Sequence, residues 1–217
     1  MNDCCDPMAD RMAERIGEHF DERIVDWQPV SPAATDRLFG WLEEAGLAGS
    51  SILDLGCGGG PLVIRALEAG AARGSGVDLS PDSIALARER AADIGRSDDS
   101  EFVVGDAATL PLTPHDLVVL DKAICCYPDA ARLVDHSAPA ANRIYAFVMP
   151  ESRGAWGIVN RLWMAWDWAV DKIRGDEMFI RLHPVKAVRD RLTAAGFRPF
   201  REGRVSVWHI GVWERTP

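Results

Sequence analysis

The sequence has no run of 18 apolar residues, so no stretch of it reads as a bilayer-spanning helix. It also has no dense cluster of lysine and arginine: 24 basic residues face 33 acidic ones, for a net charge of −9. A groove for a nucleic-acid backbone needs a local basic patch, so nucleic acid is not an expected partner. The chelating spacings C-x-x-C and H-x-x-x-H do not occur, and no metal site is expected. The five cysteines, Cys4, Cys5, Cys57, Cys125 and Cys126, are an odd set with two adjacent pairs, unlike the spaced, even set of a secreted disulfide framework. They read as free thiols of a reducing, cytoplasmic setting, and a metal site gathering Cys4, Cys5 and the Cys125 pair is disfavoured. The opening MNDCCDPMAD has neither a basic start nor an apolar run, and so reads as neither a signal nor a transit peptide. No internal repeat or low-complexity tract is present.

What the chain does have is a core. Its 217 residues are 47% hydrophobic and 26% charged, enough for one well-filled domain with a small addition. Met8, Met12, Ile16, Phe20 and Ile24 recur every four residues and predict an amphipathic helix over 7–26. Ser31 and Pro32 then read as the cap and first position of a helix to about residue 45, stopped by Gly46. Beyond it, strands and helices alternate. Strands are expected at 51–55, 74–78, 101–104, 115–120 and 143–149, with helices at 61–69 and after Ser80-Pro81-Asp82, the latter turning Ile84, Leu86 and Ala87 inward. Strands separated by helical crossovers imply an α/β fold: a doubly wound, Rossmann-like, mostly parallel sheet.

The segment 151–174 breaks this rhythm with Trp156, Trp163, Trp166 and Trp168 at helical spacing among Ile158, Leu162, Val170 and Ile173. Core packing of an inserted helix is one reading of it, and a lid over a flat apolar acceptor, with Asn160, Trp156 and Trp163 facing a pocket, is another. A membrane-surface helix fits its mixed charge poorly. A helix over 184–195 ended by Gly196, then a hairpin of 197–204 and 205–214 with alternating Val205, Val207 and His209, closes the sheet with an antiparallel pair. The chain thus divides into an N-terminal helical cap (1–48), a core (49–150), a Trp-rich insertion (151–183) and a terminal helix with hairpin (184–217).

The strongest local signal is Asp54-Leu55-Gly56-Cys57-Gly58-Gly59-Gly60-Pro61, placed between a strand and a helix. Glycines there let a ligand approach the backbone, and Pro61 suits a first helical turn. A dinucleotide fingerprint would need a third glycine where Pro61 or Val63 stands, so that reading fails. What remains is D-x-G-x-G-x-G.

This motif resembles that of the class I S-adenosylmethionine-dependent methyltransferases, and the resemblance runs over residues 50–128. It implies a seven-stranded sheet and a cofactor, S-adenosylmethionine, lying on the loop at Asp54, Gly56, Cys57, Gly58 and Gly60. It implies that Asp78, at the end of the second strand, bonds both ribose hydroxyls, with Leu79 against the adenine. Asp106, beside Ala107, takes the adenine amino group, and Asp121 and Lys122 border cofactor and acceptor. The chemistry agrees: a carboxylate accepts from two adjacent hydroxyls, and a sulfonium and an ammonium call for acids. Asp54 bonding loop amides and Asp106 capping a turn are the plain alternatives.

Transfer itself needs alignment, and a base only if the acceptor arrives protonated. His183, Tyr127 and Asp121 are the expected catalytic residues, with His136 and Glu151 as further candidates. A histidine bonding a loop backbone is the plain reading of His183. Cys125 and Cys126 read as buried thiols. The expected function is methyl transfer to a small aromatic or hydrophobic metabolite. Two alternatives are other adenosylmethionine chemistry on the same fold and a non-catalytic binding module. Oligomeric state is not readable from the sequence.

Overall fold

The computed structural model describes residues 31–174 and 181–216, with side chains as far as residue 166 in the long helix. The helix expected over 7–26, the thiols of Cys4 and Cys5, and the side chains of Trp168, Val170 and Ile173 lie outside the described residues.

Seven strands form one sheet: β1 (Ser51–Leu55), β2 (Arg73–Asp78), β3 (Ser100–Val104), β4 (His115–Asp121), β5 (Ala141–Pro150), β6 (Phe197–Val205) and β7 (Trp208–Arg215). Their order is β3-β2-β1-β4-β5-β7-β6. The first five pair in parallel, and β7 runs antiparallel to both β5 and β6. Around the sheet lie α1 (Pro32–Glu44), α2 (Pro61–Glu68), α3 (Pro81–Asp93), α4 (Ala130–Ser137), α5 (Gly154–Arg174) and α6 (Val185–Ala194). Among the described residues no helix is long and apolar enough to cross a membrane.

The period of two along each central strand divides the core. Ile52, Leu117, Val119, Ala146 and Val148 face α1 and α2, packing with Leu38, Leu42 and Leu62. Leu53, Leu55, Val118, Leu120, Tyr145 and Phe147 face the opposite way, toward Leu133 of α4 and Val185 and Val188 of α6. A third cluster joins α2 and α3 through Val63, Leu67, Ile84 and Phe102.

Several local expectations change. Ser31 precedes α1 with φ 66° and makes no side-chain cap, because left-handed backbone turns its hydroxyl from the first amides. Ser80, in extended backbone, does cap α3, accepting from the Ser83 amide at 2.9 Å. Leu86 is only half-buried, whereas Ile84 and Ala87 are fully inside. The hairpin turns at Ser206 and Val207, so Val205 ends β6 and Val207 lies outside both strands. From Trp208 to Trp213, β7 is buried on both faces, because it lies between β5 and β6 and is covered on each side.

The Trp-rich helix departs furthest from its core-packing reading. Trp156, Trp163 and Trp166 are 38%, 49% and 72% exposed, and Ile158 and Leu162 are exposed beside them. Asn160 is the residue that goes inside. Its amide donates to the carbonyls of Glu151 (2.8 Å) and Val207 (3.1 Å), so it ties α5 to the ends of β5 and the hairpin and does not face a pocket.

Candidate functional site

Strand order reverses between β1 and β4: the chain leaves β1 for β2 on one side and later returns to β4 on the other. The crevice outside the carboxyl ends of strands at such a switch point is where open α/β sheets bind ligands. The glycine loop leaves β1 there, and the Lys122–Tyr127 segment leaves β4 opposite it. Their approach is tight. A Cβ on Gly56 (φ 78°) would lie 2.7 Å from the Ala123 methyl, so this glycine is required by packing. Gly58 (φ 51°) differs: a Cβ there would meet no atom within 4 Å. Its bare face opens away from the protein.

Acids converge on this loop. Asp54 ends β1 only 3% exposed, and its Oδ1 is buried without a hydrogen-bond partner. Burial, then repulsion from Asp121 and Asp78, pushes its carboxyl well above the usual carboxylate range, with Lys122 partly offsetting them. It does not bond the loop amides. Asp78 does: it accepts from the amides of Gly58 (2.8 Å) and Ser80 (3.0 Å), which fixes its carboxylate under the loop. Leu79, next to it, is half-buried.

Asp106 caps its own turn, Oδ1 accepting from the Ala108 amide at 2.8 Å. The Tyr127 hydroxyl accepts from the Ala107 amide at 3.2 Å and is held by Asp106, so the β3 and β4 loops are joined at this point. Burial, then the Asp106 charge and hydrogen bond, push the phenol far above its ordinary value. Asp121 and Lys122 form an ion pair at 2.8 Å, each side chain 14% exposed. Thr35 of α1 completes it, donating to Asp121 at 2.6 Å and lying 2.5 Å from the Lys122 ammonium. Lys122 holds φ 64°.

His183 contacts the Tyr127 carbonyl through Nε2 at 2.8 Å. Only a protonated Nε2 can donate to that carbonyl, so in the neutral ring Nδ1 carries the lone pair. His136 likewise contacts the Leu110 carbonyl. Glu151 accepts from the amides of Ser152 and Arg153 and from His209. The Cys57 side chain turns into the core beside Phe102, which leaves only its backbone for the loop, and burial pushes its thiol up. Cys125 is buried too, and its hydrogen bond with Cys126 and burial push its thiol up. Cys126 is only half-buried.

The loop, Asp54, Asp78, Asp106, Asp121 and Lys122 therefore meet along one edge of the sheet, and Tyr127 and His183 cover the β4 loop. Thr35 has no sequence signal, since its partners lie 86 and 87 residues away. A cavity of about 320 Å³ opens further along the same edge, lined by residues that include Glu151, Arg153, Trp156 and His209.

Residues 52–140 match the family model described as a methyltransferase domain. A ribosomal protein L11 methyltransferase from Azotobacter vinelandii is 43% identical over 79 residues, 36% of this chain and 27% of the relative. The chain spans about a quarter of the length of the curated relatives it matches. Among solved structures, magnesium protoporphyrin IX methyltransferase from Synechocystis PCC 6803, with bound S-adenosylhomocysteine, superposes with a TM-score of 0.72 at 20% identity. That match covers 96% of this chain and 98% of the other. The 4+2 cyclase SpnF gives 0.70 at 16% identity, over 94% and 96% of the two chains.

Proposed function

From a chain with the class I methyltransferase fold, and a methyltransferase domain over residues 52–140, we propose an S-adenosylmethionine-dependent methyltransferase acting on a small aromatic or hydrophobic molecule. One observation carries the proposal: the buried Asp54 Oδ1 lacks a hydrogen-bond partner beside Gly58, whose Cβ direction is open. A buried acid in that state costs stability unless a cationic or hydrogen-bond-donating ligand satisfies it.

The residues present fit this cofactor. Asp54, backed by Asp121 and Asp78, concentrates negative charge where an ammonium and a sulfonium would lie. Asp78, held by two amides, is set to receive the ribose hydroxyls, with Leu79 and Asp106 toward the adenine. Bound S-adenosylmethionine supplies an electrophilic methyl group on sulfur. The chain's share is alignment and exclusion of water, and positioning alone can contribute about 7–11 kcal/mol. The Tyr127 phenol, with its raised pKa, serves as a donor and not as a base. For an acceptor that arrives protonated, His183 Nδ1 is the basic position left by the Tyr127 contact. Asp121, paired with Lys122, orders the β4 edge.

The test is turnover of methyl-labelled cofactor with a panel of small aromatic and hydrophobic molecules, reading S-adenosylhomocysteine and product mass together. Equimolar S-adenosylhomocysteine and methylated product support transfer. A second reading, rearrangement of the bound molecule without loss of the methyl group, draws on the fold shared with a cyclase. Converted acceptor without S-adenosylhomocysteine would favour it over transfer.

A further inference from the structure

His209 is buried on β7, stacked on Phe147, and its ring separates two carboxylates. Nδ1 lies 3.2 Å from Glu151 Oε2. Nε2 lies 3.7 Å from Glu202 Oε1, near enough for charge attraction but beyond hydrogen-bond reach, and neither atom has a hydrogen-bond partner in the protein. The His209 side chain is 11% exposed, and it lines the cavity of about 320 Å³ described above. The His209 ring forms part of the cavity wall with a nitrogen that no protein hydrogen bond satisfies, and Glu202 stands behind it, outside the lining.

The rest of the wall says what kind of molecule meets that nitrogen. Arg153, Arg189 and Arg204 line the cavity, and of these Arg153 and Arg204 form no ion pair among the described residues. The negative charges nearby are already engaged: Glu151 by two amides and His209, and Glu202 by Arg189 at 2.9 Å. The Arg204 guanidinium lies over the Trp156 ring, 5.0 Å from its centroid, which holds the cation and an aromatic face side by side. The volume suits a single-ring molecule.

The cavity also has the right address. Glu151 directly follows β5, whose Val148 pairs with Asp121, and His209 pairs with Met149. Two strand spacings, about 10 Å, separate the His209 strand from β4. We propose that this cavity is the anchoring site for an aromatic carboxylate bearing a hydroxyl or amine. Arg153 and Arg204 hold its acid group, Trp156 its ring, and His209 its donor. As the acceptor site, the cavity rests on the methyltransferase reading; as an anion site, it stands on its own residues.

The experiment is calorimetric titration of the full chain with 4-hydroxybenzoate, 4-hydroxybenzamide and benzoate, repeated in Arg153→Gln and Arg204→Gln, with S-adenosylmethionine titrated into each protein. The expected result is binding of 4-hydroxybenzoate, weakened roughly tenfold in either variant by loss of a charged hydrogen bond. Benzoate should bind more weakly than 4-hydroxybenzoate, and the neutral amide should give no heat. S-adenosylmethionine affinity should stay the same in both variants. Equal binding of acid and amide, no binding of the acid, or no effect of either substitution overturns the anchoring site. Failure of the wild type to bind S-adenosylmethionine while the acid pattern holds overturns the transferase reading and leaves the anion site in place.

Discussion

Asp54 concentrates the tension between stability and function in one side chain. Its raised pKa means that the folded protein holds a proton that the unfolded chain gives up above about pH 3.8. This contribution therefore favours folding at low pH and is lost as pH rises from there toward the folded-state value. Asp54→Asn removes the cost of ionising this buried carboxyl and should stabilise the protein at neutral pH by about 1 kcal/mol, or roughly 2–4 °C in melting temperature at this size. The same change should weaken S-adenosylmethionine binding at least tenfold. Thermal melts and titration calorimetry on one preparation check both, and a less stable variant with full affinity contradicts this role. Gly56 and Gly58 make a second pair of opposites. Gly56→Ala drives a methyl into Ala123 and should lower stability by about 1–3 kcal/mol. Gly58→Val incurs only left-handed backbone strain, roughly 1–2 kcal/mol, but fills ligand space and should abolish cofactor binding. Urea unfolding with a binding assay separates the two.

Among the elements, α5 shows best what periodicity conveys and what it does not. The spacing of its tryptophans gives the helix, yet apolar residues occur on several of its faces, so spacing alone does not say which face is buried. Asn160, polar and inconspicuous, is the residue that decides, through the carbonyls of Glu151, just past β5, and Val207, in the hairpin turn. Asn160→Ala should destabilise the protein by about 1–3 kcal/mol, because the Glu151 carbonyl loses its side-chain donor and the Val207 carbonyl keeps only the Glu151 amide. Hydrogen exchange should show the loss first in amides of the first turns of α5 and at the hairpin turn, and unchanged protection there would contradict the tie. The two serine caps differ for a related reason. Ser80 and Ser31 both precede Pro, but the cap forms only where the backbone is extended, and the dipeptide alone does not distinguish the two.

Across the whole molecule, the features legible in the sequence were those written locally. Strand edges, the glycine loop and the acids at three successive strand ends all lie within a few residues of their own signals. The terminal hairpin was legible as well, apart from its turn. Features assembled by long-range return of the chain were not. These include Thr35 on the Asp121–Lys122 pair, the Tyr127–Asp106 bridge between loops, and the His209 cavity built from β6, β7, α5, α6 and the segment after β5. The sheet order explains the asymmetry: it brings the β1 and β4 loops together across more than 60 residues and places the hairpin beside β5. Whether this switch point holds a sulfonium nucleoside is decided by titrating S-adenosylmethionine into the full chain, with Asp78→Ala alongside. One molecule should bind per chain, displaced by S-adenosylhomocysteine, with a marked loss of affinity in the variant. No heat with the wild type, or equal affinity in both proteins, would contradict it.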